Sequence, residues 1–336
     1  MKKIAVIITV LIILAITSAG CGNKSSQVHS GQQGKTEENV RQEDNGQVKS
    51  GNIYPLTVVD AKGVEITIGK KPEKIVSLSL STDEILLSLV DKDRIKAVSY
   101  LAFDPGISNV SEEAKEINEK VGTETETIIA LGADLIFLSD WQDDAFIQQL
   151  RDAHINVYTY KTPSNIEEQR QMVMDIARVV DEVDKGQEIV DWMDEKLGEV
   201  EKKVGNLKDE DKLSVINDNF GYTFAKDSMF DDIVKRAGLK NAASEAGMEY
   251  FIEITKEKIV ELNPDMIVLP SWSFDENTDP DQYLQQIKND PGLAEVSAVK
   301  NDRVVMIPDK HVSAISQYVV LAVEDLARAA YPELFK

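Results

Sequence analysis

Two segments of this sequence place the same chemical groups at the same spacing. The segment from Glu126 to Trp141 aligns without gaps with the segment from Glu257 to Trp272, and the two share Glu, Ile, Leu, Asp, Ile, Leu and Trp in register. Each copy begins with a carboxylate, which suits ion pairing with a basic partner. Each copy ends with an indole, which suits contact with a flat ligand.

The wide separation of the two copies indicates a duplicated lobe. Solenoid repeats recur every 20 to 50 residues or so and need at least three copies, so two distant copies predict two related domains. Chance is the alternative, because helix–turn–strand segments share an apolar pattern, although that pattern does not account for the matched Glu, Asp and Trp.

The pattern of elements around these copies predicts an α/β fold with parallel sheets. In each copy a short helix is followed by a turn and a strand, and further strands and helices alternate on either side. The predicted strands are 74–79, 95–100, 135–138, 156–160, 213–217, 266–269 and 303–307, and the predicted helices are 81–90, 126–131, 146–153, 230–237, 257–262, 283–288 and 316–330.

A long helical region lies between the two sets of elements. It covers residues 166–204 with a break near Asp184 to Gly186, and its apolar residues fall on one face. This stripe consists of Ile189, Val190, Met193, Leu197, Val200 and Val204. We therefore predict two Rossmann-like lobes, residues 53–165 and 206–336, joined by a helical strut, residues 166–205, with a ligand cleft between the lobes.

The start of the chain predicts export. Two lysines precede an uncharged stretch, residues 4–17, which is shorter than the roughly 20 residues of a membrane span. Residues 1–20 are therefore predicted to be a signal peptide. The following Cys21, the one cysteine of the chain, resembles the lipobox cysteine of bacterial lipoproteins, although Ser18 replaces the usual leucine. The alternative is an ordinary cleaved signal with a stray cysteine.

Composition limits the partners. Residues 21–52 are almost entirely polar, so they are predicted to be a flexible tether that cannot bury enough surface to fold. The whole chain of 336 residues carries 37 Lys plus Arg against 59 Asp plus Glu, a formal charge of −22. This acidity argues against nucleic acid and anionic membrane surfaces as partners.

Together these features resemble the substrate-binding lipoproteins of ABC importers for iron-siderophore complexes, heme and cobalamin. The resemblance rests on the lipobox, the polar tether, the Lys74–Ser79 segment, the paired Glu-x-Ile segments and the strut, and it covers the chain from Tyr54 onward. It implies a monomeric, membrane-anchored binding protein on the extracytoplasmic face, most simply for a ferric siderophore. It implies no cofactor beyond iron in a bound chelate.

The resemblance also implies a role for the two glutamates. In that family a glutamate at the head of each corresponding helix contacts arginines of the permease, and the matching residues are Glu126 and Glu257. Helix capping is the alternative, since an acidic residue in a first turn is favourable. Residues 123–126 fit a capping box, whereas the second copy has Ile254 where the box needs Ser or Thr.

The family's ligand pocket maps onto loops that are rich in aromatic residues and lack arginine. Lys310 is the candidate cation, and His311 is either an iron or cobalt ligand or an ordinary polar residue. The tyrosines and tryptophans are alternatively packing residues. The implied ligand-binding residues are Ser79, Leu80, Tyr100, Trp141, Asn219, Tyr222, Tyr250, Phe251, Trp272, Lys310 and His311.

Other protein classes fit less well. No nucleophile elbow, phosphate-binding glycine loop or His-Glu-x-x-His motif indicates an enzyme, and we predict none. Only His154 and His311 lie beyond the tether, which disfavours a bare zinc or manganese receptor. A bilobal cluster enzyme of the nitrogenase type would need cysteines that residues 53–336 lack. A ligand-sensing lipoprotein that serves a receptor remains an alternative.

Overall fold

A computed structural model describes residues 53–275 and 277–336, within a compact unit spanning Asn52–Lys336. The predicted signal peptide, Cys21 and the tether lie outside the described residues. The unit contains two parallel sheets with helices on both faces of each, which confirms the predicted α/β class.

The N-terminal lobe is built on a five-stranded parallel sheet of order β5-β4-β3-β6-β7, preceded by an antiparallel pair, β1 and β2. Its strands are β1 (Leu56–Val59), β2 (Glu65–Ile68), β3 (Ile75–Ser77), β4 (Ile95–Ser99), β5 (Glu119–Val121), β6 (Leu135–Ser139) and β7 (Asn156–Tyr160). Its helices are α1 (Leu80–Leu89), α2 (Ser111–Ala114), α3 (Thr125–Ala130) and α4 (Asp144–Asp152).

The helices α5 (Ile166–Val180) and α6 (Val183–Val204) lead to the C-terminal lobe. This lobe has a four-stranded parallel sheet of order β10-β8-β12-β13 and an antiparallel ribbon of β9 and β11. Its strands are β8 (Ser214–Asn217), β9 (Tyr222–Phe224), β10 (Lys240–Asn241), β11 (Phe251–Glu253), β12 (Met266–Leu269) and β13 (Val304–Met306). Its helices are α7 (Met229–Arg236), α8 (Ala242–Glu245), α9 (Lys256–Leu262), α10 (Pro280–Lys288), α11 (Ser297–Lys300), α12 (Asp309–Val312) and α13 (Val319–Ala330).

Consecutive residues of the central strands point into cores on opposite faces of each sheet, as the two-residue period of a strand requires. In β6, Phe137 packs with α1 and α5 while Ile136 packs in the core beneath α4. In β12, Val268 packs with α6 and α13 while Ile267 packs in the core with α10. Both strands are buried on both faces, which is why residues 135–138 and 266–269 are all apolar.

Helix α6 links the cores of the two lobes. Val190 packs in the N-terminal core, whereas Met193, Leu197, Val200 and other residues of the same stripe pack in the C-terminal core. One apolar face of one helix therefore contributes to both lobes.

The helix break predicted at Asp184 to Gly186 was wrong by a few residues. Helix α5 ends at Asp181, which adopts a left-handed conformation with φ of 60°, and α6 has already begun at Val183. Gly186 lies inside α6, and a Cβ built there would lie 2.5 Å from the Ala177 Cβ of α5. The glycine permits close approach of two helices rather than ending one.

The capping-box pattern also assigned the side-chain cap to the wrong helix, α3 instead of α9. Glu124 occupies the N-cap of α3 and makes no side-chain capping bond, while the Thr125 hydroxyl donates to Gln149 instead. In the second copy Thr255 caps α9 by accepting from the Lys258 N–H at 3.2 Å. The second helix is therefore the one whose N-terminus is capped by a side chain. Its cap is Thr255, which the capping-box pattern did not place at the N-cap.

Candidate functional site

A cavity of about 760 Å³ lies between the two lobes. Its N-terminal wall comes from the loops that follow β3, β4, β5 and β6, because the carboxyl ends of parallel strands meet at one edge of a sheet. Its C-terminal wall is smaller. The lining residues are Leu78 to Ser81, Ser99 to Leu101, Ile107, Lys120 to Glu124, Trp141 and Gln142 on one side, and Phe274 and Ser313 to Ile315 on the other.

The turn from β3 into α1 is fixed by hydroxyl groups. Ser79 is the N-cap of α1, and its hydroxyl lies 2.9 Å from the Thr82 hydroxyl and 3.1 Å from the Tyr160 hydroxyl. These bonds hold Ser79 and the neighbouring Leu80 and Ser81 at the cavity wall. Hydrogen bonds within the protein therefore fix this part of the wall.

The charged side chains that line the cavity are Lys120 and Glu124. The Lys120 ammonium lies 6.0 Å from the centroid of the Phe103 ring, and no described carboxylate is within ion-pair distance of it. The Glu124 carboxylate folds back over Gly122, where an added Cβ would meet its oxygen at 2.8 Å. No arginine of the described residues lines the cavity. The wall therefore offers one cation and one anion amid apolar and hydroxyl groups.

Two buried carboxylates lie behind this wall, at consecutive positions of α1. Burial raises the pKa of Asp83 to about 7, although hydrogen bonds from Ser77 and Ser99 act in the opposite direction. Burial also raises the pKa of Glu84, against hydrogen bonds from Ser316 and Asn109. Both groups are almost fully enclosed, so their charges are poorly screened by water.

The Glu84 side chain connects the two lobes. The backbone N–H and the side-chain amide of Asn109 donate to it at 2.7 and 2.9 Å, and the Ser316 hydroxyl of the opposite lobe also donates to it. The Gln317 amide donates to the Glu84 carbonyl at 3.1 Å. These bonds join α1 to the segment before α13.

Trp272 makes a further contact between the lobes. Its indole N–H donates to Asp104 at 2.9 Å, and its ring lies so close to Gly106 that an added Cβ would meet it at 2.6 Å. It also packs edge-to-face on Phe274, with ring centroids 4.3 Å apart. Trp272 thus positions Phe274 at the cavity while lying outside the wall itself.

The structure brings four of the residues expected to bind ligand to the cavity wall. These are Ser79, Leu80, Tyr100 and Trp141. Tyr100 is 56% exposed and Trp141 is 66% exposed, so both rings are accessible to a ligand.

The other aromatic residues expected at the site lie on the β9–β11 ribbon and its flanking turn, outside the cavity wall. Tyr222 stacks on Phe251 with centroids 5.0 Å apart, and Tyr250 is 61% exposed. Asn219 lines a separate hollow of about 40 Å³ with Asp309.

The two polar candidates at the start of α12 face other groups. The carbonyl of Lys310 accepts from the Asn109 amide at 2.5 Å, which adds another bond between the lobes. The His311 Nδ1 lies 2.5 Å from an Asp325 oxygen on α13. Neither side chain lines the cavity wall.

Several wall residues were not anticipated from the sequence. Lys120, Glu124 and Phe274 all line the cavity, as do Ile107 and Ile315. Phe274 had one usable signal, because it follows Trp272 by two residues and so occupies the same loop. Lys120 had none, since it lies on a three-residue edge strand, β5, that the periodicity did not reveal.

The two glutamates at the heads of the repeated helices are both exposed. No ion pair within the described residues involves Glu126 or Glu257. Hydrogen bonds from its own backbone N–H and from Thr255 hold the pKa of Glu257 below its usual range. One turn further along each helix an apolar side chain is exposed, Ile129 at 37% and Val260 at 44%. The two copies therefore present the same pair of groups.

Comparison with known proteins identifies the class. The sequence profile of the periplasmic binding protein family matches residues 75–311. An uncharacterized ABC transporter substrate-binding lipoprotein of Bacillus subtilis is 31% identical over 346 aligned positions, covering 100% of both chains. An iron-uptake system-binding protein of the same organism is 25% identical and covers 90% of each chain. The molybdate-binding protein MolA of Haemophilus influenzae has a similar fold, with a TM-score of 0.70 at 20% identity over 83% of this chain and 92% of that one.

The chain belongs to the periplasmic binding protein family, whose members here are binding proteins of transporters and not enzymes. It is a substrate-binding protein of the ABC-importer class, as expected from the resemblance. Within the described residues no helix has the length and apolarity needed to cross a bilayer. No cluster of three or more His, Cys, Asp or Glu side chains among those residues is arranged to hold a bare metal ion.

Proposed function

We propose that this protein captures a ferric siderophore-type chelate in the cleft between its lobes and delivers it to an ABC permease. The observation that carries the proposal is the cavity of about 760 Å³, which is lined mainly by apolar, aromatic and hydroxyl groups. Ligand pockets of several hundred Å³ with a few convergent polar groups suit small organic molecules, whereas a bare ion needs a compact ligand cluster.

The wall chemistry favours a hydroxamate-type chelate within this class. Such chelates carry iron inside an organic shell, so the protein contacts apolar surface and amide or hydroxamate oxygens. Ser79, Ser99 and Ser313 place hydroxyl oxygens at the wall, and Tyr100 and Trp141 supply accessible rings. Ferric catecholates and citrates are anionic and would be bound best by a cluster of arginines, which the described cavity wall does not contain.

Heme or cobalamin is the second candidate ligand. Tyr100, Trp141 and Phe274 place three exposed rings around the cavity, and flat aromatic faces suit a large macrocycle. Coordination by His311 is not favoured, since its ring is paired with Asp325 and is absent from the cavity wall.

We further propose that delivery uses Glu126 and Glu257. Each is an exposed carboxylate without an ion pair in the described structure, and each is followed one turn later by an exposed apolar residue, Ile129 or Val260. Basic groups of a permease would pair with the two carboxylates at a separation fixed by the lobes. A sensor of a receptor protein would have no need for this matched pair.

Cys21 completes the proposal as the lipidated residue that anchors the protein on the extracytoplasmic face. The polar residues 22–52 would then separate the folded unit from the membrane. The relatives named as lipoproteins support this placement.

Fluorescence titration tests the proposed capture. The full chain has three tryptophans, of which Trp141 lies at the cavity and Trp192, on α6, packs on Tyr318. We expect a ferric hydroxamate to quench emission with sub-micromolar affinity and bare Fe(III), Zn(II) and Mn(II) to leave it unchanged. Trp141→Phe should remove much of the quenching, and the matched variant Trp192→Phe should retain it.

The same titration with ferric catecholate, heme and cobalamin separates the candidates. If heme or cobalamin bound more tightly than every siderophore tested, the ligand would be that macrocycle and not a siderophore. A response to bare metal alone would contradict the proposed function.

A further inference from the structure

A buried carboxylate lies directly behind the cavity wall without a compensating cation. Asp83 is 0% exposed, in the first turn of α1. The Ser99 hydroxyl donates to it at 2.5 Å, and the Ser99 backbone N–H donates to the same carboxylate at 3.1 Å. Ser99 itself lines the cavity, so one hydrogen bond separates Asp83 from the ligand space.

The partners of Asp83 stabilise its charge only in part. They are hydroxyls and a backbone N–H, and within the described structure no lysine or arginine forms an ion pair with it. A charge enclosed in protein interacts over several ångströms more strongly than one in water. The cavity lies on the other side of Ser99, so a positive charge in the cavity would interact favourably with Asp83.

The other charged groups near the cavity add to the excess of negative charge that Asp83 creates. Glu84 is also buried behind the wall, and Glu124 lines the cavity. Lys120 is the single cation of the lining among the described residues, and both Lys120 and Glu124 are exposed, so solvent screens these two opposite charges alike and leaves the buried carboxylates uncompensated. A ligand in the cleft therefore meets more nearby negative than positive charge.

We propose that Asp83 is a specificity-determining residue that makes the cleft prefer chelates of zero or positive net charge over anionic chelates. The inference rests on the proposed function and deepens it, because it assigns the charge class of the ligand to one side chain. Asp83 acts through space and through Ser99 rather than by touching the ligand.

The test compares ferric chelates of different charge on the full chain purified in detergent. Ferrioxamine B is a cationic ferric trihydroxamate, ferrichrome is a neutral one, and ferric enterobactin is an anionic tris-catecholate. For the wild-type protein at about pH 8 we expect the two hydroxamates to bind and the catecholate to bind at least about 10-fold more weakly. Equal or tighter binding of the catecholate would overturn the inference.

The decisive variant is Asp83→Asn, which keeps the shape of the side chain and removes its charge. The ratio of the dissociation constants for ferrioxamine B and ferrichrome should move by about 3- to 10-fold against the cationic chelate. A purely structural role for Asp83 would weaken both hydroxamates equally and leave this ratio unchanged, which would overturn the inference. Because it is a ratio measured on the same sample, the fraction of unfolded protein cancels.

Two further variants complete the experiment. Asp93→Asn removes the same charge from an exposed site of the same lobe and should leave the ratio within about twofold of the wild type, because exposed charges are screened. Asp83→Thr, a second neutral replacement, should reproduce the shift if Asp83→Asn folds poorly. Failure of every chelate to bind the wild type would overturn the proposed function together with the inference, whereas binding with an unchanged ratio would overturn the inference alone.

Discussion

At the scale of single residues, Asp83 carries a cost for the folded protein. The carboxyl group is fully buried, and its ionised form loses hydration that the hydroxyls of Ser77 and Ser99 and the Ser99 N–H cannot fully replace. Such a group is retained at a cost in stability, which is consistent with a role in ligand selection.

The pH dependence of stability should report this cost. Burial raises the pKa of Asp83 to about 7, above that of an exposed aspartate, so the folded state binds the proton more tightly than the unfolded state. The associated stabilisation is present below about pH 4 and is lost as the pH rises to about 7. Between about pH 5 and pH 8, urea unfolding should show that the wild type loses on the order of 2 kcal/mol relative to Asp83→Asn.

The matched surface variant Asp93→Asn serves as the control for that comparison. The free energy of unfolding of Asp93→Asn should change with pH as that of the wild type does, because the Asp93 side chain is exposed. Parallel pH profiles for the wild type and Asp83→Asn would contradict the assignment of a raised pKa to Asp83.

The sequence predicted some site residues and missed others for identifiable reasons. Trp141 and Tyr100 follow strands with clear apolar patterns, so their place at the carboxyl edge of the sheet was predictable. Lys120 is the middle residue of β5, a three-residue strand with two exposed residues, which has no detectable period. The pairing of His311 with Asp325 depends on how α12 meets α13, which is a tertiary contact that no local pattern encodes.

At the scale of elements, helix α6 joins the lobes. Its apolar stripe was predictable because the stripe follows the helical period, and five of its six residues are buried. The antiparallel ribbons β1–β2 and β9–β11 were not predicted, since their strands have only three or four residues and are partly exposed.

The two glycines inside α6 allow a matched test of its packing. Gly186 faces α5, where a Cβ would lie 2.5 Å from the Ala177 Cβ, whereas a Cβ at Gly198 would meet nothing within 4 Å. Gly186→Ala should therefore destabilise the protein by about 1 to 3 kcal/mol through overpacking. Gly198→Ala should stabilise it by about 0.5 to 1 kcal/mol, because alanine has the higher helix propensity.

Urea denaturation of the two variants measures both effects. Equal gains in stability for Gly186→Ala and Gly198→Ala would contradict the close packing of α5 against α6 at Gly186.

At the scale of the whole molecule, the two lobes serve one cleft and present two similar outer helices. Hydrogen bonds from Ser316 to Glu84, from Asn109 to Lys310 and from Trp272 to Asp104 connect the lobes beside the cavity, and α6 connects their cores. The small number of connecting elements, together with these bonds, favours modest movement on binding over wide closure. We therefore expect the relative position of Glu126 and Glu257 to change little when the ligand binds.

Capture and delivery should accordingly be separable. We expect Glu126→Arg with Glu257→Arg to bind the chelate with the affinity of the wild type, because both residues lie outside the cavity wall. The same double variant should lose most uptake in cells, because it would place arginines against basic groups of the permease. A control with Glu65→Arg and Glu245→Arg makes the same charge change at one exposed site in each lobe and should transport normally.

The measurement that tests the account most directly is the uptake of the iron-labelled chelate by cells that carry the double variant, paired with the affinity of the purified variant for that chelate. The account predicts wild-type affinity with uptake reduced at least about 10-fold. Wild-type uptake by the double variant, at equal protein level in the membrane, would contradict it.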